Sequence, residues 1–127
     1  FASYTEVLYF EAKDGAEARA RYVDDFRSYA DATLDADTPV GLGVGDYANE
    51  NDYYAAVYAR GAVFIDELRK AMGDDAFFAA LQNYYTQNRF GFVSGPILQQ
   101  TAEVACACDL DPLFNQWVYG PGGPPSP

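Results

Sequence analysis

Apolar residues recur at helical spacing along most of this chain. Between residues 16 and 34, Tyr22, Phe26, Tyr29 and Ala30 occupy positions i, i+4, i+7 and i+8, which form one face of an α-helix. The other apolar segments show the same period of about 3.6 residues, and no segment alternates as a half-buried strand does. The pattern predicts six helices, at residues 3–13, 16–34, 52–72, 74–88, 94–108 and 111–118.

Turn and capping residues mark the ends of these segments. Gly15 and Gly73 follow the last periodic residues of the first and third helices, and Ser94 is placed to cap the fifth. Pro112 suits the first position of the sixth helix. The segment 35–51 is rich in Gly and predicts a connecting loop, whereas the other connections are short and favour antiparallel neighbours. The predicted fold class is therefore all-α, a bundle of about six antiparallel helices.

Length and composition favour one domain. The chain has 127 residues, of which 50% are hydrophobic, so it can bury a core of its own but is short for two domains. We expect a single helical domain over residues 1–120 and a Pro/Gly-rich exit linker at 121–127. The chain opens on Phe1, without Met and inside an apolar run, which predicts a fragment of a larger polypeptide.

Charge and the absence of histidine exclude several classes of function. The formal net charge is −11, which opposes binding to nucleic acid and to anionic membrane surfaces, and no apolar stretch is long enough for a membrane span in this segment. The chain contains no His, which removes Ser-His-Asp and Cys-His catalysis and the common zinc sites. No metal ligand is assigned to this chain.

The two cysteines, Cys106 and Cys108, stand two positions apart in the fifth predicted helix. Two residues along an α-helix are about 200° apart around the axis, so the thiols are expected to point away from each other. The prediction is that they do not bridge and that both are small packing residues. The two cysteines do not indicate the cellular compartment of the protein.

One tyrosine in the third predicted helix is a candidate for chemistry. The hydroxyl of Tyr58 can donate a hydrogen bond to charge developing on a carbonyl oxygen, as in an oxyanion hole. Gly61, three residues later, is expected to let another group pack closely beside it. The alternative is that Tyr58 is a half-buried packing residue beside the apolar stripe of Val57, Gly61 and Ile65.

Four short motifs follow one another along the chain. They are Phe1-Ala2-Ser3-Tyr4, Tyr58-Ala59-Arg60-Gly61-Ala62, Met72-Gly73-Asp74-Asp75-Ala76-Phe77-Phe78 and Trp117-Val118-Tyr119-Gly120-Pro121-Gly122. In order and spacing, the chain resembles the membrane alanyl aminopeptidase family of zinc metallopeptidases, of the gluzincin type, in the part that follows the zinc-binding motif. The resemblance implies the C-terminal helical lobe of a thermolysin-like catalytic domain.

The resemblance also implies roles for individual residues. The family binds zinc through H-E-x-x-H and through the glutamate of Asn-Glu-Gly-Phe-Ala-x-Tyr, which would stand two residues before Phe1. Tyr58 would hydrogen-bond the oxyanion of the tetrahedral intermediate, and Tyr53 matches a second tyrosine and is a candidate substrate-binding residue. Five residues on a continuous α-helix are about 140° apart, so both face one cleft only if the helix begins between them or bends. Arg60 replaces a lysine of the family and is not expected to contact substrate.

The implied function is that of a zinc-dependent aminopeptidase. Zinc would be bound in the parent protein and not by this chain, which is expected to be inactive alone. The implied partners are a peptide substrate and the missing N-terminal half of the catalytic domain, and an extracytoplasmic or membrane-tethered parent is favoured. Two alternatives stay open, a non-catalytic helical protein-interaction domain and a pseudoenzyme remnant of the same fold.

Overall fold

The computed structural model describes residues 1–124, and no strand occurs among them. The α-helices are α1 (Ala2–Asp14), α2 (Ala16–Thr33), α3 (Glu50–Tyr54), α4 (Gly61–Met72), α5 (Asp74–Gln87), α6 (Gly95–Cys106) and α7 (Asp111–Phe114). A π-helical segment, Ala55–Arg60, joins α3 to α4, and a second, Asn115–Tyr119, extends α7. The described residues therefore form six helical rods, which confirms the predicted all-α fold.

Helix boundaries follow the turn residues of the sequence closely. Gly15 and Gly73 have φ of 88° and 80°, and their N–H groups donate to carbonyl oxygens of the preceding helices at 2.8 and 2.9 Å. Because this backbone region favours glycine, both residues end a helix as predicted. Ser94 takes the N-cap position of α6, but its side chain does not cap the helix by a hydrogen bond.

Helix α4 is the centre of the bundle. It packs against α1, α2 and α5, while α1 also packs on α2 and α5 on α6. Seven of its residues are buried, among them Phe64 and Leu68. The rings of Phe64 and Phe114 meet edge to face at 5.2 Å and connect α4 with α7. Burial of these large apolar side chains stabilises the fold by about 1.5–3 kcal/mol each.

A buried carboxylate of α4 ties three helices together. Asp66 is 2% exposed and accepts hydrogen bonds from the Tyr4 hydroxyl of α1 at 2.9 Å and from Arg19 of α2 at 2.8 Å. Lys70, one turn later, pairs with its other oxygen at 2.9 Å. Burial alone would raise the pKa of Asp66, but the hydrogen bonds from Lys70, Tyr4 and Arg19 outweigh burial and hold that pKa below its ordinary value.

The neighbouring Arg69 satisfies two further carboxylates. Its guanidinium is almost fully buried and donates to Glu11 of α1 and, through two nitrogens at 2.8 Å each, to Asp74 at the start of α5. The hydrogen bonds to Asp74 are the first cause that raises the pKa of Arg69, so it remains charged. Among the described residues, every buried side-chain polar atom has a partner.

The prediction that Cys106 and Cys108 do not bridge is wrong. The two form a disulfide, with their Cα atoms 5.1 Å apart. Helix α6 ends at Cys106, and Ala107 takes a left-handed conformation with φ of 50°, which turns the chain back on itself. The helical geometry on which the prediction depended therefore stops between the two cysteines.

The long loop between α2 and α3 lies against the C-terminal part of the chain. The N–H groups of Val40 and Gly41 donate to the carbonyl oxygens of Trp117 and Val118 at 2.8 and 3.0 Å. A short 3-10 turn follows at Gly120–Gly122. The predicted exit linker at 121–127 extends beyond the described part, since residues 125–127 lie outside it, and its role stays a prediction.

Within residues 1–124, no helix combines the length and the apolar character that crossing a membrane requires.

Candidate active site

Tyr58 lies on the π-helical segment Ala55–Arg60 that precedes α4. The alanines of this segment, Ala55, Ala56 and Ala59, are 3% exposed or less, and the segment packs against α2. The Tyr58 side chain is 47% exposed, and within residues 1–124 its hydroxyl has no hydrogen-bond partner. The segment therefore buries its small side chains and leaves the Tyr58 ring half-exposed, which is compatible both with an oxyanion donor and with a half-buried packing residue.

The π-helical winding aligns Tyr53 with Tyr58. The N–H of Gly61 donates to the carbonyl oxygen of Ala56, five residues earlier, which is the π-helical pattern. The rings of Tyr53 and Tyr58 are 6.3 Å apart and nearly perpendicular, at 89°. The change from α-helical to π-helical winding at Ala55 lies between the two residues, and their side chains lie side by side.

These two residues belong to a larger tyrosine cluster, which consists of Tyr47, Tyr53, Tyr54 and Tyr58. The ring of Tyr54 lies 5.4 Å from Tyr53 and 5.6 Å from Tyr58, and Tyr47 lies 5.7 Å from Tyr53. Tyr47 is 9% exposed and donates to the carbonyl oxygen of Pro39 at 3.2 Å. Its pKa is raised by burial and then by the neighbouring Tyr53, so this ring is a neutral support for the others.

Polar contacts at the start of α3 position the cluster. The Asn49 side chain accepts from the N–H of Asp52 at 3.0 Å, which is an N-cap one turn before the tyrosines. The Tyr29 hydroxyl of α2 donates to the Asn51 side chain at 3.3 Å. The N-cap fixes where α3 begins, and this start sets the direction of the rings that follow.

A surface hollow of about 270 Å³ borders the cluster. It is lined by Val44, Tyr47, Asn49, Glu50, Tyr53 and Tyr54. Aromatic walls with a few polar groups are typical of small-molecule and peptide side-chain sites. Tyr53 and Tyr54 contact Tyr58 and also line the hollow, whereas Tyr58 itself is not part of its lining.

Arg60 and Gly61, the two residues after Ala59, are not placed to contact a ligand. Arg60 donates to the carbonyl oxygens of Asp35, at 2.9 Å, and of Ala36, and its guanidinium lies 5.7 Å from the Trp117 ring. It holds the loop to the bundle. The expected close neighbour of Gly61 is absent among the described residues, because an added Cβ would meet only its own helix, the Ala56 oxygen at 3.6 Å.

The first motif of the sequence lies near the Tyr58 motif. Phe1 lines an apolar hollow of about 200 Å³ together with Val57 and Gly61, which flank Tyr58, and with Phe64 of α4. Tyr4 points inward to Asp66 and is fully buried. The fold therefore brings the beginning of the chain to the helix that carries the tyrosine cluster.

Comparison with known sequences decides the family. The chain matches the Peptidase family M1 domain over residues 1–117. The chain belongs to this family. The match confirms the resemblance to the membrane alanyl aminopeptidase family of zinc metallopeptidases, and no solved structure gives a significant match.

Several curated relatives of this M1 chain carry the name Aminopeptidase N. The protein of Lactobacillus helveticus is 26% identical over 130 residues, which cover 96% of this chain and 15% of that protein. Those of Lactococcus lactis subsp. cremoris strain MG1363 and Lactobacillus delbrueckii subsp. lactis are 33% and 29% identical over 70 residues, 55% of this chain and 8% of each protein. The chain thus spans 15% or less of the length of these relatives.

Within residues 1–124, the M1 chain offers zinc no His and no free Cys ligand. It contains no His, and its two cysteines are bonded to each other. Within residues 1–124, Glu103, Asp109 and Asp111 bring carboxylate oxygens within 4.8 Å of one another. Gln99 and backbone N–H groups donate to these oxygens, which are therefore local hydrogen-bond acceptors. Zinc sites in proteins take His or Cys ligands, which this oxygen-only group lacks.

The sequence indicated Tyr53 and Tyr58 as candidate site residues but did not indicate Tyr47, Tyr54 or the π-helical segment. Tyr54 is adjacent to Tyr53 and would point elsewhere on a regular α-helix, and Tyr47 falls in the predicted loop. The sequence signal for the segment is the five-residue spacing of Tyr53 and Tyr58, because a turn closed by i→i+5 hydrogen bonds brings side chains at this spacing closer together than a regular α-helix does.

Proposed function

We propose that this chain is the helical part of a zinc-dependent aminopeptidase catalytic domain, in which Tyr58 stabilises the oxyanion during peptide-bond hydrolysis. One observation carries the proposal. In a chain of the M1 family, the π-helical segment presents Tyr58 half-exposed and supported by Tyr53, with no hydrogen-bond partner for its hydroxyl within residues 1–124. The names of the relatives support the substrate class, a peptide with a free amino terminus.

Tyr58 acts as a hydrogen-bond donor to the substrate. When water adds to the scissile carbonyl, charge builds up on the carbonyl oxygen, and a donor already aimed at that position lowers the barrier. The Tyr53 ring, nearly perpendicular to Tyr58, and the tilted Tyr54 ring restrict the Tyr58 ring, so the hydroxyl loses little freedom when it binds. The phenolic O–H of Tyr58 is the donor in this role.

Tyr53 contributes to substrate binding by shaping the wall of the cleft. The hollow next to it is lined by three tyrosine rings together with Val44, Asn49 and Glu50, and it accepts an apolar side chain of the peptide. The apolar hollow at Phe1 and Phe64 is the docking surface for the N-terminal half of the catalytic domain. Each of these roles depends on the M1 membership of the chain.

Zinc belongs to residues outside this chain. The side chains of this chain do not fit the metal. In the proposed parent, the chain contributes Tyr58 and part of the cleft wall, and the chain alone has no peptidase activity.

The sequence of the parent gene before Phe1 tests the proposal. We expect H-E-x-x-H, followed by Asn-Glu-Gly directly before Phe1, since the family supplies its zinc ligands there. Degenerate residues at these positions would replace the proposal by the pseudoenzyme alternative. An unrelated preceding domain would replace it by a helical protein-interaction domain.

Zinc titration of this chain gives a second expected result. Isothermal calorimetry of the chain with zinc chloride should show no binding tighter than about 10 µM, because tight protein zinc sites are built on His or Cys ligands. A matched variant, Glu103→Gln with Asp111→Asn, should give the same trace. Tight binding that this variant abolishes would show that the acidic group is a metal site and would contradict the assignment of zinc to residues elsewhere.

A further inference from the structure

One stretch of this acidic chain contains no acidic residue. The chain has 19 Asp and Glu residues and a net charge of −11, yet none lies between Asp75 and Glu103. The stretch forms most of the antiparallel pair α5 and α6 and the whole connection between them, and its single charged residue is Arg89. Contact between two copies of the chain at this hairpin therefore opposes fewer carboxylates than contact elsewhere.

The tip of this hairpin carries two fully exposed aromatic side chains. Phe90 is 96% exposed and Phe92 is 101% exposed, and Val93 beside them is half-exposed. Phe90 has φ of 63°, a left-handed conformation that is unfavourable for a bulky residue. Within this chain alone, neither ring gains burial in return, which is typical of residues that bind at an interface.

An uncharged hollow of about 300 Å³ lies next to the tip. Its lining includes Asn83, Gln87, Asn88, Ile97, Gln100 and Val104. Asn88 belongs to both features, because its carbonyl oxygen accepts from the N–H of Gly91 at 2.9 Å and so closes the turn of the tip. Apolar knobs and an uncharged hollow therefore occupy the same end of the hairpin.

We propose that two copies of this chain associate through the α5–α6 hairpin tip, with Phe90 of each copy inserted into the hollow of the other. A knob and a hollow side by side on one surface are self-complementary under two-fold symmetry. The guanidinium of Arg89, 5.0 Å from its own Phe90 ring, is attracted by the acidic body of the other copy. The inference is independent of the proposed catalytic role.

The size of the surface sets the expected affinity. An aromatic side chain buries about 150–250 Å². Two such rings with Val93, Ile97 and Val104 from each copy reach roughly the lower limit of a specific interface, about 1,000–1,200 Å² in total. We expect a reversible dimer with a dissociation constant between about 10 µM and about 1 mM.

Sedimentation equilibrium of this chain over a range of concentrations and salt is the test. The dimer should tighten several-fold as sodium chloride rises to about 0.5 M, because screening weakens the repulsion between two bodies of charge −11. Phe90→Ser with Phe92→Ser should raise the dissociation constant at least about tenfold. Both rings are exposed, so the variant should keep the wild-type circular dichroism and melting temperature.

Control variants distinguish dimerisation through this surface from nonspecific association. Tyr9→Ser removes a ring that is 61% exposed on α1 and should leave the dimer unchanged. Thr101→Glu places a carboxylate in the hollow and should weaken the dimer, whereas Thr101→Gln, of the same size, should not. A monomer at about 1 mM in high salt would overturn the proposal, as would a dimer unaffected by the phenylalanine changes. Binding of a monomeric chain to phosphatidylcholine vesicles, lost with the same changes, would overturn it in favour of a lipid-binding tip.

Discussion

Replacing Tyr58 by phenylalanine in the proposed parent enzyme is expected to lower kcat by about 10²–10³-fold, with little change in stability. The substitution removes one hydroxyl and keeps the ring, so the contacts with Tyr53 and Tyr54 remain. The hydroxyl binds the transition state more strongly than the substrate, and for this reason the loss falls on kcat and less on KM. Steady-state hydrolysis of an aminoacyl p-nitroanilide measures both constants.

Two variants of neighbouring tyrosines are the controls for this result. Tyr54→Phe keeps the ring that lies 5.6 Å from Tyr58 and removes a hydroxyl with no proposed role, so kcat should change less than about threefold. Tyr53→Ala removes the edge contact and part of the cleft wall, and it should raise KM as well as lower kcat. A Tyr58→Phe enzyme with nearly the wild-type kcat would show that the oxyanion is stabilised by other groups.

The helices of this fold were predictable because their signals are local. Amphipathic periodicity and the glycines at positions 15 and 73 lie within the segments they define, and α4 carries an apolar stripe that needs no tertiary information to recognise. The π-helical segment was not predictable in the same way. Whether Gly61 donates to Ala56 or to Val57 depends on how Ala55, Ala56 and Ala59 pack against α2, which periodicity does not report.

The disulfide and the tyrosine cluster have a common physical origin. In both places the helical winding changes within a few residues, so ideal α-helical geometry does not give the positions of the side chains. Ala107 turns left-handed and brings Cys106 to Cys108, and the π-turn brings Tyr53 to Tyr58. A departure from regular helical winding changes the relative positions of side chains that are two to five residues apart. Candidate sites are recognised in a sequence by residues at the same spacing.

The buried ion pairs were also not predictable from the sequence. Their disruption gives the second large expected effect, a loss of stability. Asp66→Ala should reduce the free energy of unfolding by about 3 kcal/mol, because it leaves the Tyr4 hydroxyl and the Arg19 guanidinium without their acceptor. The lower end of the usual range applies, since Arg19 is 20% exposed and water can reach it. Urea unfolding followed by circular dichroism measures the change.

A surface pair and an isosteric change serve as controls for the Asp66 result. Glu67, one residue later, pairs with Arg27 at 2.9 Å but is 29% exposed, so Glu67→Ala should cost less than about 1 kcal/mol. Asp66→Asn keeps one oxygen acceptor for Tyr4 and should be milder than Asp66→Ala. Equal losses for Asp66→Ala and Glu67→Ala would show that the buried network stabilises the fold no more than a surface pair does.

The Asp66 carboxylate makes the free energy of unfolding depend on pH. The pKa of Asp66 is lower in the folded state than the ordinary value of about 3.9, so the unfolded chain takes up the proton first. The contribution of ionised Asp66 to the free energy of unfolding is therefore fully present above its pKa in the unfolded chain. This contribution is lost as the pH falls through its pKa in the folded chain. Unfolding free energies measured from about pH 7 to about pH 3 should fall less steeply for Asp66→Asn than for the wild type. Some slope should remain, because Arg69 also lowers the pKa of Asp74. Identical slopes in the two proteins would mean that the hydrogen bonds from Tyr4, Arg19 and Lys70 do not favour the ionised form of Asp66.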